Sequence, residues 1–272
     1  MAFVKQKGNY ENIETGDKIF EPYIIVNSWE KFYFKIHRSS LSKILWELGT
    51  PKEKILALII NNINERNNHI YFGKEELIDY FKNSKCKISK KSVEKYFNLL
   101  LSHNFIKEVG ENELIFNPQL IYSGKKEYYM GDMLEYSCSE FESCKPKRKY
   151  KIKEISDFKE ITSKTYTGKS RYEIKPNIHF AKIKEDFLDY IYKYSSNKKI
   201  LVLIQIMHQL FEDPEHIFIE RNKFNVDKAT LNAVTQYLHK NKIILKTKQL
   251  RGVYQINHDY LSSLPIRSYQ NY

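Results

Sequence analysis

Several stretches of the chain carry residue types that do chemistry elsewhere, and each lacks a neighbour that the chemistry needs. "YTGKS" (166–170) ends as a phosphate-cradling loop does, with Gly-Lys-Ser. Such a loop needs an earlier Gly at the position held here by Ser163, and no apolar strand leads into it. The chain has 8 His, but no two flank a single apolar residue as metal-holding nickases require. His103, His216 and His239 read as surface or helix-end residues. Cys138 and Cys144 have no second pair nearby, so a zinc site is not expected. Any one of 21 Tyr is better read as packing than as a nucleophile. The acidic residues are scattered and form no carboxylate motif for a metal. The sequence therefore offers no catalytic residue, no metal site and no cofactor.

What remains is the chemistry of recognition. Lys90, Lys91, Glu94, Lys95 and Asn98 fall on one side of a periodic stretch, opposite Val93, Phe97 and Leu100, with Ser89 and Ser92 at its start. In a second stretch Lys228, Ala229, Asn232 and Gln236 lie opposite Leu231, Val234 and Leu238, with Thr230 near the start. Ammonium groups hold phosphates, and amides four apart on a helix can pair with adenine edges in a major groove. Lys246, Lys248 and Arg251 form a basic group further on, and Lys147, Arg148 and Lys149 another in "KPKRKYKIK" (145–153). Each of these residues also reads as ordinary solvated surface. It is their grouping that points to a polyanion.

The elements that would position them occur twice. "NELIFNPQLIYSG" (112–124) rhymes with "GVYQINHDYLSSL" (252–264), each with a β-prone run, an Asn (Asn117, Asn257) and an apolar pair beyond it. Upstream, "KEKILALIINNINE" (52–65) matches "NKKILVLIQIMHQLFE" (197–212), both amphipathic at helical spacing. "HIYF" (69–72) matches "HIFI" (216–219) as short strands. "ISKKSVEKYFNLLLSHNFIKEV" (88–109) aligns without a gap to "VDKATLNAVTQYLHKNKIILKT" (226–247), with Ser89 and Asp227 as N-caps. Each runs into a hairpin. The first turns on Gly110-Glu111-Asn112, with Glu113 adding to an acidic tip; the second turns on "KQLR". A strand and a short helix preface each copy, at 32–48 and 178–194.

Helix, strand, helix, capped helix and hairpin in that order predict a winged helix-turn-helix. The first copy has its middle helix as "KEELIDYFKNS" (74–84). The second has only "ERNKFN", so that helix must be a single turn or missing. The fold expected is α+β, mostly helical, with two tandem winged helix-turn-helix domains related by internal duplication. The division is an N-terminal arm (1–29), domain 1 (30–136), a basic linker (137–176) and domain 2 (177–272). "YYMGDMLEY" (128–136) could add a strand to domain 1. Two such domains would reach major-groove segments about one helical turn, about 34 Å, apart, on a site that need not be palindromic.

Bulk composition agrees. Lys+Arg number 45 against 33 for Asp+Glu in 272 residues, a net charge of +12, which favours nucleic acid over other partners. Abundant Lys, Ile, Asn and Tyr would also follow from AT-rich coding. Three cysteines argue against a disulfide framework. No run of apolar residues is long enough to span a membrane, and none after Met1 resembles a signal peptide. A cytoplasmic protein without a membrane partner is expected.

The first copy resembles the RepL family of plasmid replication initiators. The likeness rests on "EKILALIINNI", "SKKSVEKYFNLLLSHNFIKE" and "ELIFNPQLIYSGKKEYYMGDMLEY", over roughly residues 30–140. The second copy is an echo, with His258-Asp259 where the first has Pro118-Gln119. The resemblance implies sequence-specific binding of double-stranded DNA at plasmid origin repeats and recruitment of host replication proteins, with a homodimer open. A repressor or partition protein would share the fold, and a tandem winged-helix scaffold holding proteins is the reading from another class. A doubled form departs from the family's usual single domain.

Overall fold

A computed structural model describes residues 3–5, 9–11, 18–20, 24–26, 33–64, 67–110, 112–123, 129–137, 152–155, 180–213, 216–247, 252–257 and 261–262. The chain opens with two small antiparallel pairs, β1 (Phe3–Lys5) with β4 (Ile24–Val26) and β2 (Asn9–Glu11) with β3 (Lys18–Phe20). β5 (Tyr33–His37) leads directly into α1 (Arg38–Leu48), followed by α2 (Pro51–Asn61), β6 (His69–Ile70), α3 (Lys74–Asn83) and α4 (Lys90–Ser102). A hairpin of β7 (Ile106–Gly110) and β8 (Glu113–Phe116), a short β9 (Ile121–Tyr122) and α5 (Tyr129–Ser137) complete the first unit. The second unit follows the same order, without α-helices matching α3 and α5 among the described residues. It comprises β10 (Phe180–Lys184), α6 (Glu185–Tyr194), α7 (Lys198–Glu212), β11 (His216–Phe218), α8 (Lys228–Lys240), β12 (Ile244–Lys246), β13 (Val253–Ile256) and β14 (Leu261–Ser262). The architecture is α+β. Among the described residues no helix is long and apolar enough to cross a membrane.

Each unit carries a three-stranded antiparallel sheet of one plan, β6-β8-β7 in the first and β11-β13-β12 in the second. The HIxF runs pair with the hairpins as the sequence anticipates. The middle helix differs. Where the first unit has α3, the second has a single 3-10 turn at Arg221–Lys223. "ERNKFN" offers too few apolar positions for a buried face, and only Phe224 reaches the core.

The core of the first unit is α2, whose Ile55, Leu56, Ala57, Leu58, Ile59 and Ile60 are all fully buried. A helix apolar on every side belongs at the centre of a fold. Pro51 starts it, where a missing N–H costs nothing, and the Thr50 N–H donates to the Glu53 carboxylate at 2.8 Å. Glu53 also accepts from the Ser195 hydroxyl at 2.6 Å, while the Asn197 amide donates to the Leu48 carbonyl at 2.8 Å. Those two bonds tie the start of α2 and the end of α1 to the second unit.

The ties continue through a sheet that neither unit owns, of order β14-β5-β10-β9. β5 pairs antiparallel with β10 along its whole length, Tyr33 with Lys184 through His37 with Phe180. β9 of the first unit adds to β10, and β14 of the second adds to β5. One hydrophobic core runs through both units. Phe105, fully buried after α4, contacts Phe187, Tyr190 and Tyr194 of α6 at ring distances of 6.2, 5.8 and 5.3 Å. Ile36 and Ile44 in turn line an apolar cavity with Leu238, Ile243 and Ile244 of the second unit. The units expected in tandem thus interlock.

Two sequence expectations change. "YYMGDMLEY" is not an added strand, because Tyr129–Ser137 form a helix. The helical spacing sends both Asp132 and Glu135 toward His69, which alternating strand geometry would not do. The tip of the first hairpin is also less acidic than its letters suggest. Glu113 is 5% exposed and turned inward to His69. Of the basic linker, residues 152–155 lie against the end of α2, where the Asn62 side chain accepts from the Lys153 N–H at 2.7 Å. Lys147, Arg148 and Lys149 lie outside the described residues.

Candidate nucleic-acid interface

α4 and α8 are held by matching devices at both ends. At the start, the Ser89 hydroxyl accepts from the Ser92 N–H at 3.3 Å, and the Asp227 carboxylate accepts from the Thr230 N–H at 2.8 Å. These caps satisfy N–H groups that a helix leaves open. At the end, Asn104 and Lys242 adopt left-handed backbone, with φ of 56° and 57°. The chain then turns back, the Phe105 N–H reaching the Leu100 carbonyl at 3.0 Å and the Ile243 N–H the Leu238 carbonyl at 2.9 Å. The rhyming asparagines close the same turn. Asn117 donates through Nδ2 to the Asn104 carbonyl at 2.9 Å, and Asn257 donates likewise to the Lys242 carbonyl at 2.7 Å. Their backbone N–H groups reach the Phe105 and Ile243 carbonyls at 2.8 and 3.0 Å. Each capped helix is thereby fixed to the last strand of its hairpin.

The buried stripes are close to those read from periodicity: Val93, Phe97 and Leu100 on α4, and Leu231, Val234, Thr235 and Leu238 on α8. Opposite them Ser89, Lys90, Lys91, Lys95 and Asn98 are exposed, as are Lys228, Asn232 and Gln236. Ser92 and Thr230 are half-buried. Their hydroxyls bond the capping side chains, Ser92 to Ser89 at 2.9 Å and Thr230 to Asp227 at 2.8 Å, so their first role is to hold the helix start. Hydrogen bonds from Thr230 keep the Asp227 carboxyl below its usual range. Lys90 lies 3.9 Å from Glu94, an exposed pair worth little in water. Lys246 is exposed at the end of β12. Lys248 and Arg251 lie outside the described residues, so the second hairpin's tip is known at Lys246 and at Gly252, with φ of 82°.

The structure assembles one charged cluster that sequence spacing did not reveal. His69 Nδ1 lies 2.8 Å from Glu113 Oε1, and its Nε2 lies 2.9 Å from Glu135 Oε2. Asp132 adds a third carboxylate, accepting from the Asn68 N–H at 3.2 Å. Burial disfavours charge on His69, but the Glu113 hydrogen bond and the charges of Glu135, Glu113 and Asp132 outweigh it and raise its pKa. Burial pushes the Asp132 carboxyl up to about 6, against the pull of the Asn68 N–H and the His69 charge. His69, Asp132 and Glu135 place ligand atoms within 4.8 Å of one another, close enough to share a cation. With both ring nitrogens at hydrogen-bond distance from carboxylates, the arrangement suits a doubly paired imidazolium that fastens α5 to β6 and β8. Sequence could not find this site, because its members come from three distant segments.

Asn68 organises the neighbouring backbone. Fully buried, it donates to the Phe116 carbonyl at 3.2 Å and to the Ile121 carbonyl, and accepts from the Ser123 N–H at 3.0 Å. The "NPQLIYS" phrase is thus shaped by Asn68 at one end and Asn117 at the other.

The family model for RepL, described as Firmicute plasmid replication protein, matches residues 3–185. The chain belongs to the RepL family. The match takes in the whole first unit and continues through β10, the strand that joins the two units. No curated protein and no solved structure matches the chain.

Proposed function

We propose that this RepL-family protein binds double-stranded DNA at repeats within a plasmid origin and recruits host replication proteins there, without performing catalysis. The observation that carries this reading is the pair of capped helices, α4 and α8, each presenting an exposed polar face beside its hairpin. The net charge of +12 supports it. Each unit is read as a winged helix-turn-helix, related by duplication, with α4 and α8 as recognition helices and the hairpins as wings. The second unit dispenses with a full middle helix.

The two faces divide the labour. Lys90, Lys91 and Lys95 on α4 grip phosphates, with Asn98 beside them. Asn232 and Gln236 on α8 read base edges, with Lys228 on the backbone and Lys246, Lys248 and Arg251 at the wing. Lys147, Arg148 and Lys149 add phosphate contacts.

The test is selection of bound fragments from plasmid and chromosomal DNA, followed by affinity measurements across salt concentration. An iterated origin sequence and a steep fall of affinity with salt are expected. Promoter sites would replace the initiator with a repressor. A flat salt response without sequence preference would favour a protein-binding scaffold.

A further inference from the structure

The shared sheet has an internal symmetry that the separate units lack. Lys35, the middle residue of β5, pairs with Lys182, the middle residue of β10. The flanking pairs are Phe34 with Ile183 and Ile36 with Ala181. Both strands run straight into a helix, α1 or α6. The outer strands follow the same rule. Ile121 and Tyr122 pair with Ile183 and Lys182, while Leu261 and Ser262 pair with Ile36 and Lys35. Exchanging β5 with β10 and β9 with β14 therefore leaves the pairing scheme unchanged. In an antiparallel ladder, two equivalent residues that face each other lie about a twofold axis perpendicular to the sheet. Here the axis passes between Lys35 and Lys182.

Packing on the sheet obeys the same exchange. Each unit's helix preface packs on the other's core, at the equivalent place. α6 meets Phe105, the first residue after the turn that ends α4. Ile36 of β5 and Ile44 of α1 line one apolar cavity with Ile243, the first residue after the turn that ends α8. One chain thus has the internal arrangement of a dimer whose subunits have exchanged strands.

Resting on the DNA-binding reading above, we infer that a single chain recognises two half-sites in inverted orientation, and that the two halves differ in sequence. A duplex has twofold axes perpendicular to its length, and none of its symmetries superposes direct repeats by a twofold. Two protein surfaces related by a twofold meet one duplex equivalently only when the axes coincide, which makes the half-sites inverted. The halves differ because the faces differ: α4 offers Lys90, Lys91 and Lys95, whereas α8 offers Asn232 and Gln236. The half under α8 is the more tightly specified. The site carries the imprint of a palindrome without being one, and one chain fills it.

The experiment uses the full chain and a random-sequence duplex library, with the mass of the complex measured on the selected site. Two unlike half-sites in inverted orientation, bound by one chain, are expected. Reversing one half-site to make a direct repeat should weaken binding at least about tenfold. Asn232→Ala with Gln236→Ala should relax preference in one half only. Direct-repeat half-sites, or an inverted site that needs two chains, would overturn the inference while leaving DNA binding intact. Absence of any sequence preference would overturn both readings.

Discussion

Asn117 and Asn257 make the same bond to the turn that ends the preceding helix, yet their replacement should not cost the same. Asn117 is 5% exposed, and its side chain bonds through Nδ2 to the Asn104 carbonyl at 2.9 Å and accepts through Oδ1 from the Gln119 N–H at 2.9 Å. Asn117→Ala removes both. The Asn104 carbonyl keeps the Tyr136 hydroxyl at 2.7 Å, and exposed Gln119 can be hydrated, so the loss is moderate. At about 1 kcal/mol for each bond the cost is about 2 kcal/mol. The equivalent bond from Asn257, at 2.7 Å, is exposed to solvent, where water replaces it readily. Asn257→Ala should cost about 1 kcal/mol or less. For a chain of this size that difference separates the melting temperatures by about 2–4 °C. Thermal and urea melts of both variants against the parent protein measure it. Equal losses, or a larger loss at Asn257, would refute the argument that burial decides what this turn is worth.

Other perturbations have equally definite outcomes. Phe105→Ala should destabilise the chain by about 3–5 kcal/mol and leave a single melting transition, because both units pack on that ring; separate transitions in calorimetry would contradict the shared core. Stability should fall as pH rises. The raised pKa of His69 gives stabilisation that is complete below about 6.5 and lost as pH climbs through its folded pKa. The Asp132 pKa, raised from 3.8 to about 6, works in the same direction between those values. Urea melts of His69→Gln across pH should show a flatter profile than the parent, and an unchanged slope would dismiss the paired imidazolium. Gly252→Ala should cost about 1 kcal/mol or more, since its φ of 82° is left-handed and an added Cβ would stand 3.3 Å from the Ile219 carbonyl oxygen. Lys90→Ala should weaken DNA binding on all sequences and lower the salt slope by about 1, whereas Asn232→Ala should cost about 1–3 kcal/mol on the preferred site alone, both read by titration across salt.

The sequence determined the local elements, because local elements follow local rules. Apolar spacing marked α2, α4, α7 and α8, and Ser89 and Asp227 cap the two helices that the residue types nominated. The rhyme around Asn117 and Asn257 marked a turn that both units build with the same bonds. Periodicity also separates the buried stripe from the polar face, so the candidate contacts on α4 and α8 are legible in the residue types and their spacing. The tertiary structure decided what joins distant segments. Nothing in "YYMGDMLEY" says that Asp132 and Glu135 will meet His69, which makes a strand-like run into a helix. Nor does any short window reveal that β5 pairs with β10, since strand partners are chosen by what the rest of the chain buries. A repeat in sequence is equally compatible with two beads on a linker and with two halves of one body. The choice shows at Phe105, which packs against Phe187, Tyr190 and Tyr194 of the other unit as well as Phe116 of its own, and at Ile243, which lines one cavity with Ile36 and Ile44 of the first unit.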